Sequence, residues 1–296
     1  PTFEILDEHP DYACTSDYFS SFINVFGVYV MSPEKVPLSK MMHTAKVFAS
    51  FIDNDEDGVP DDTNVIDNLT EKGKVIPVWL SSSSQPWQDS SCFSAYFNMN
   101  ASMKVDSLDV GGGLLNGDLW TVGGLDEGIA NNYTNIGNAI WDDNLEEIWN
   151  VVTDGWAGAY PNKFDSSETT QTDLTDAMDV ARGGRFIEIP SSYPAEAWYT
   201  YSDENCDYHC QGVKYIYWGL MANIGALSSS GYCGLEGVND EWNICTKSEL
   251  ETTDILLYDL LNNQGYNLPI NIPQGDYRNN DSRTHSFEVG YESTSN

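Results

Sequence analysis

The chain has 296 residues, of which 46 are acidic and 13 are lysine or arginine, a formal charge of −33. So negative a polymer repels nucleic acid and anionic membranes, and attracts cations, cationic proteins or mineral surfaces; the same acidity also serves solubility in salty water. With 9 Trp and 17 Tyr a substantial core is expected rather than wholesale disorder, and no apolar run reaches the roughly eighteen residues that a membrane-spanning helix needs.

In chain order, residues 1–36 form an aromatic-rich lead-in with a predicted strand over Ile23–Met31. A start at Pro1 without Met is read as a mature, processed form. From Leu38 to Ile52 the apolar residues Met41, Met42, Ala45, Val47, Phe48, Phe51 and Ile52 keep a helical spacing. A second helix is predicted from Thr63 to Lys72, where Val65, Ile66 and Leu69 share a face and Gly73 stops the segment.

Between these helices lies Asp53-Asn54-Asp55-Glu56-Asp57-Gly58-Val59-Pro60-Asp61-Asp62. Carboxylates at alternate positions converge only if the backbone coils around one point, and Gly58 sits where such a coil needs an unhindered turn. The pattern is the first half of an EF-hand-like calcium loop. Asp53, Asp55 and Asp57 are the expected side-chain ligands, Val59 offers its carbonyl, and Asp61 or Asp62 closes the shell. Asn64 stands where a full EF-hand carries its bidentate Glu, so the loop is nearer to shortened extracellular calcium loops. Without a cation, five Asp and one Glu in ten residues repel strongly.

Val75 to Leu80 reads as a buried strand, followed by a Ser/Gln/Pro loop and glycine-rich turns near 110–125 that lack a dinucleotide or phosphate fingerprint. Between Lys104 and Lys163 there is no Lys or Arg but ten acids, which need water, a distant Arg or a bound cation to offset them. Inside this interval Leu145, Ile148, Trp149 and Val152 form the apolar stripe of a helix. Glu146 and Asn150 share a face at i, i+4 with Glu147 beside them, the geometry of an H-E-x-x-H zinc helix. Two carboxylates and an amide do not suit catalytic zinc; a hard cation, or an Arg side chain in its place, is the expected occupant. Glu146, Glu147 and His209 are the weak catalytic candidates. Further helices are predicted at Asp173–Ala181, Val213–Leu227 and Leu250–Leu261, and Arg182 or Arg185 is expected to reach a carboxylate of the base-free interval.

Six cysteines, Cys14, Cys92, Cys206, Cys210, Cys233 and Cys245, allow three disulfides in fifteen pairings that the sequence does not decide; local bridges Cys206–Cys210 and Cys233–Cys245, with Cys14–Cys92, are the pairing expected here. Sequons stand at Asn68, Asn100, Asn132 and Asn280. Together with the acidic loop these favour a secreted, extracellular glycoprotein.

The stretches HTAKVFASFIDNDEDGVPDD, LEEIWNVVTDGWAGAYP, DAMDVARGG and WYTYSDENCDYHC…YIYWGLMANIGA resemble a family of mostly uncharacterised secreted proteins from marine organisms and microbes. The resemblance covers most of residues 38–275 and implies extracellular location, calcium and a degenerate zincin-like helix of form E-E-x-x-H. Asn150 replaces the His here, and Lys214 stands where a further acidic ligand is wanted.

The elements together predict an α+β fold: a helix-dominated single domain with a small sheet, an EF-hand-like loop and disulfides. The domain is expected over 1–275, with the helix–calcium loop–helix unit at 37–73 and a polar C-terminal tail at 276–296. The expected function is that of an acidic calcium-binding protein acting by binding a partner, ligand or mineral surface. The alternatives are a metal-dependent hydrolase on a degenerate metallopeptidase-like scaffold, with Glu147 as general base, or an aromatic-pocket enzyme for a small luciferin-type ligand.

Overall fold

The computed structural model describes residues 1–79, 103–104, 142, 144–230, 233, 238–273 and 275–278. Helices dominate and a small mixed sheet accompanies them, an α+β architecture. The strands are β1 (Ile5–Leu6), β2 (Ser21–Val25), β3 (Val28–Ser32), β4 (Val75–Trp79) and β5 (Met103–Lys104), paired in that order.

The single strand predicted over Ile23–Met31 is instead the β2–β3 hairpin, with Val25 opposite Val28. Phe26 and Gly27 make the turn, both left-handed at φ 52° and 94°, and Asn24 Oδ1 accepts from Gly27 N at 2.9 Å. Two left-handed central residues define the tight hairpin turn whose twist matches that of its strands. Periodicity runs unbroken through such a turn, which hides it from a reading of apolar spacing.

β3 and β4 run parallel, with Val30 beside Ile76, so the chain between them must cross over. Two helices make that crossover, α1 (Leu38–Ile52) and α2 (Thr63–Glu71), close to their predicted bounds. The acidic loop is therefore the middle of a crossover connection and is held at both ends by packed helices. All five residues of β4 are buried, as expected of a strand covered on both faces.

α3 (Asn144–Ala159) packs on both α1 and α2. Its Ile148, Trp149, Val152 and Trp156 are buried, with Trp149 ringed by Phe51 at 5.7 Å and Trp156 at 5.6 Å. A Cβ on Gly155 would meet Val65 O at 2.8 Å, so a bare glycine lets α2 approach this closely.

Beyond α3 come α4 (Pro161–Phe164), α5 (Asp173–Ala181) and α6 (Tyr208–Asn223). α5 matches its predicted span and starts in a capping box on Thr172 and Thr175. The apolar helix predicted over Val213–Leu227 starts earlier, at the Asp207 cap, and ends at Asn223. Gly225, left-handed at φ 80°, separates it from α7 (Ala226–Ser230).

The last helices are α8 (Val238–Glu241), α9 (Lys247–Thr253) and α10 (Ile255–Leu261). The helix predicted as one piece over Leu250–Leu261 is broken at Asp254, whose side chain caps α10 by accepting from Leu257 N at 3.1 Å. The same carboxylate also takes Trp198 Nε1 at 2.8 Å and the Tyr215 hydroxyl at 2.6 Å. Three donors from separate elements thus justify a buried acid in mid-pattern.

Cys206 pairs with Cys210 and Cys233 with Cys245, at Cα separations of 5.2 and 5.6 Å. Cys14 is also disulfide-bonded. Cys92, Asn100, Asn132 and Asn280, the glycine-rich turns and much of the base-free interval lie outside the described residues. Among the described residues no helix is long and apolar enough to cross a membrane.

Candidate metal centre

The acidic loop coils as its sequence demands. Glu56 and Gly58 take left-handed conformations, at φ 58° and 94°, and between them turn the chain back on itself. Amides then point inward: Asp53 Oδ1 accepts from Asp57 N at 3.1 Å and Asp53 Oδ2 from Gly58 N at 2.8 Å. Asp61 closes the turn, its N donating to Ile52 O at 2.9 Å and its Oδ2 accepting from Asn54 N at 2.8 Å.

Three carboxylates converge. Asp53, buried, Asp55, exposed, and Asp61, between the two, offer oxygens that all lie within 4.8 Å of one another. Among the described residues no Lys or Arg pairs with any of them. Burial, followed by the charges of Asp55, Asp53 and Asp57, pushes the Asp61 carboxyl up to about 6, against the pull of the Asn54 amide. Burial likewise raises Asp53, although Tyr277 and Gly58 donate to it. Such a cluster stores repulsion that a bound cation would relieve, and all-oxygen donors suit a hard cation.

Asp57 and Asp62, also expected as ligands, are not part of this group of three. Asp57 Oδ1 accepts from Val59 N at 2.8 Å, and Val59 is exposed. Asp62 caps α2 by accepting from Asn64 N at 2.9 Å and also takes the Tyr160 hydroxyl. Of the pair Asp61 and Asp62, it is Asp61 that joins Asp53 and Asp55.

The C-terminal segment forms the rest of the surroundings. Asn54 Oδ1 accepts from Ile270 N and Asn271 N, both at 2.8 Å, and Asn267 Nδ2 donates to Asp61 O at 2.9 Å. Tyr277 donates to Asp53, and Arg278 N to Glu56 Oε2 at 3.1 Å. Residues 276–278, the start of the expected tail, thus lie against the loop. Sequence reasoning missed these contacts; the only signal was Tyr277, a large ring inside an otherwise polar stretch.

At the second expected site, Glu146 pairs with the ammonium of Lys214, which takes the place of the cation or arginine foreseen there. Glu147 also feels the Lys214 charge. His209 does not join them: its Nδ1 lies 2.7 Å from Ser166 Oγ, and Ser166 is buried. Near Glu146, Glu241 accepts from Trp218 Nε1 at 3.0 Å. Burial raises the Glu241 carboxyl to about 7, helped by the charges of Glu146 and Asp240 and opposed by Trp218 and Lys214.

Three described acids of the base-free interval find bases from far along the chain. Asp142 meets His43 at 2.6 Å, Glu146 meets Lys214, and Asp154 meets Lys74. Among the described residues neither Arg182 nor Arg185 meets an acid of that interval. Arg182 ends α5, and both guanidinium groups close on Asp179 of that helix at 3.0 and 3.1 Å and stack on Tyr208. An acid three residues back on the same helix end is nearer than any distant carboxylate. Of the sequons, Asn68 lies on α2, with Nδ2 donating to Asn64 O at 2.9 Å and its side chain against Gly158. Comparison with family models, curated proteins and solved structures finds no match to this chain.

Proposed function

We propose that the protein is a secreted, acidic calcium-binding protein that acts by binding, with Asp53, Asp55 and Asp61 as its carboxylate ligands in an EF-hand-like loop. The reading is carried by one observation: three carboxylate oxygens within 4.8 Å of one another, on a coiled loop with no basic side chain to offset them among the described residues. Calcium fits best because it takes several oxygen ligands in a flexible shell and tolerates backbone carbonyls and water beside carboxylates. The cation would tie α1, α2 and the segment 267–278 together, since all three border the loop. Extracellular calcium is abundant enough to fill a site of modest affinity, and the disulfide pairs are compatible with that compartment.

Isothermal titration of chelator-stripped protein with calcium, magnesium and zinc tests the reading. One calcium per chain, lost in Asp55→Asn, is the expected result. Absence of bound calcium at millimolar concentration, where even weak extracellular modules fill, defeats it.

A second reading, hydrolysis near Glu146, has one feature in its favour: burial and the Glu146 charge push the Glu241 carboxyl up to about 7 near the Glu146–Lys214 pair. A protonated and an ionised carboxyl held close together can divide acid and base roles. Turnover of peptide, ester or glycoside reporters that disappears in Glu241→Gln would favour it over binding alone.

A further inference from the structure

On the face formed by α5 and α10, and remote in sequence from the acidic loop, an open cleft of about 270 Å³ has a divided lining. Asp173 and Asp176 come from α5 and Asp259 from α10. Leu256, Leu260 and the ring of Tyr266 supply the cleft's apolar lining. Tyr266 is itself held edge-on by Tyr160 at 5.0 Å and Phe164 at 5.2 Å, so its ring is fixed before anything binds.

The cleft already holds one ammonium. Lys163 Nζ lies 2.6 Å from Asp173 Oδ2, and Asp173 raises the lysine's pKa. Asp176 has a neutral partner, Gln171 Nε2, at 2.6 Å. Asp259 has no ion-pair or hydrogen-bond partner for its carboxylate among the described residues. Three carboxylates therefore face one cation.

They are not arranged for a metal ion. Their oxygens do not gather within 4.8 Å of one another, as those of Asp53, Asp55 and Asp61 do. Spread carboxylates beside an apolar wall and a fixed ring suit a delocalised cation on an aliphatic stem. A guanidinium can bridge two carboxylates, stack on a ring and lay its methylenes on leucine. The volume is below the ~300–1,000 Å³ of small-molecule pockets and suits a single side chain. Leu256, 49 % exposed, is the apolar surface such a stem would cover. At a net charge of −33 the whole molecule steers a basic partner toward it.

We propose that this cleft is the docking site for an arginine side chain of a basic protein partner, seated between Asp176 and Asp259 with its stem on Leu256 and Tyr266. Lys163 remains on Asp173 and limits affinity by neutralising the third carboxylate.

The test is fluorescence anisotropy with a labelled Gly-Ser-Arg-Gly-Ser peptide at about physiological ionic strength. Lysine and citrulline versions serve as comparisons. Asp259→Asn and Asp176→Asn should each weaken the arginine peptide about tenfold, the scale of one lost charge-assisted contact. Asp67→Asn, which removes the same charge from the exposed face of α2, should change it by less than about twofold. Lys163→Gln should tighten binding severalfold where Lys72→Gln does not, and citrulline should abolish it. Leu256→Ser should weaken binding with no change of charge. No binding by the parent protein, equal losses in Asp67→Asn and Asp259→Asn, or equal gains in the two lysine variants would overturn the proposal in favour of diffuse attraction. All substituted side chains are partly or fully exposed, and circular dichroism melts confirm that each variant is folded.

Discussion

Tyr277 donates its phenolic hydrogen to Oδ2 of Asp53, joining residues 224 positions apart at the edge of the acidic loop. The same oxygen accepts from Gly58 N at 2.8 Å, and burial together with the Asp53 charge raises the Tyr277 pKa well above its usual range. Tyr277→Phe should cost the metal-free protein about 1.5–3 kcal/mol, the scale of a hydrogen bond to a charged group. It should also tighten calcium severalfold, because a ligand oxygen is released. Melting in chelator and calorimetric titration read the two effects separately. Unchanged stability and unchanged affinity together would show that the contact does not couple the C-terminal segment to the loop.

Asp61→Asn should have opposite signs with and without calcium. Burial pushes the Asp61 carboxyl up to about 6 from its ordinary 3.8. Its folded pKa is raised, so the stability it contributes is present below about pH 4 and is lost as pH rises toward 6. At pH 7.5 in chelator, the neutral variant should be more stable by about 1 kcal/mol once solvent screening at this half-exposed group is allowed for. In calcium it should be less stable than the parent, which gains about 2.7 kcal/mol at a hundredfold excess over Kd. Thermal melts across that matrix check the crossing.

Lys74 and Asp154 form a nearly buried ion pair between the start of β4 and the middle of α3. Burial lowers the Lys74 pKa, and the Asp154 carboxylate works against that fall. Asp154→Asn should destabilise by about 3–5 kcal/mol, because a buried ammonium then loses its counter-charge. Lys74→Met with Asp154→Leu should recover most of the loss. Urea unfolding of both variants measures this.

Glu241→Gln should flatten the dependence of stability on pH. The parent carboxyl is raised from 4.5 to about 7, so stability falls as pH climbs between those values. Glutamine can still accept from Trp218 without that cost. At pH 8 the variant should be more stable by about 1 kcal/mol after discounting for partial exposure, and at pH 4 it should match the parent. Equal melting curves for the two proteins at every pH would remove Glu241 as a titrating group in this range.

Much of the local architecture was legible in the residues. α1, α2 and α5 sit close to their predicted spans because apolar spacing, caps and stops act within a few positions. The hairpin turn at Phe26–Gly27 and the break at Asp254 were not, since each interrupts a pattern without changing its period. Asp254 reads as one polar residue on an amphipathic helix until Trp198 and Tyr215 converge on it.

By itself the sequence determined that a coiled acidic loop would lie between two helices, because alternate aspartates and a glycine dictate that turn through local backbone preference. It also pointed to the helix carrying Glu146, whereas six cysteines allow fifteen pairings and only the structure shows Cys206–Cys210 and Cys233–Cys245. Only the tertiary structure decided which acids meet: Asp61 rather than Asp62 beside Asp53, and Lys214 rather than an arginine on Glu146. The same holds for the pairing of Asp142 with His43 and Asp154 with Lys74, and for the placement of Tyr277. The reason is physical. Charge compensation depends on distance in space, and segments 68 to 224 residues apart are brought within reach only when the core of α1, α2, α3 and α6 packs.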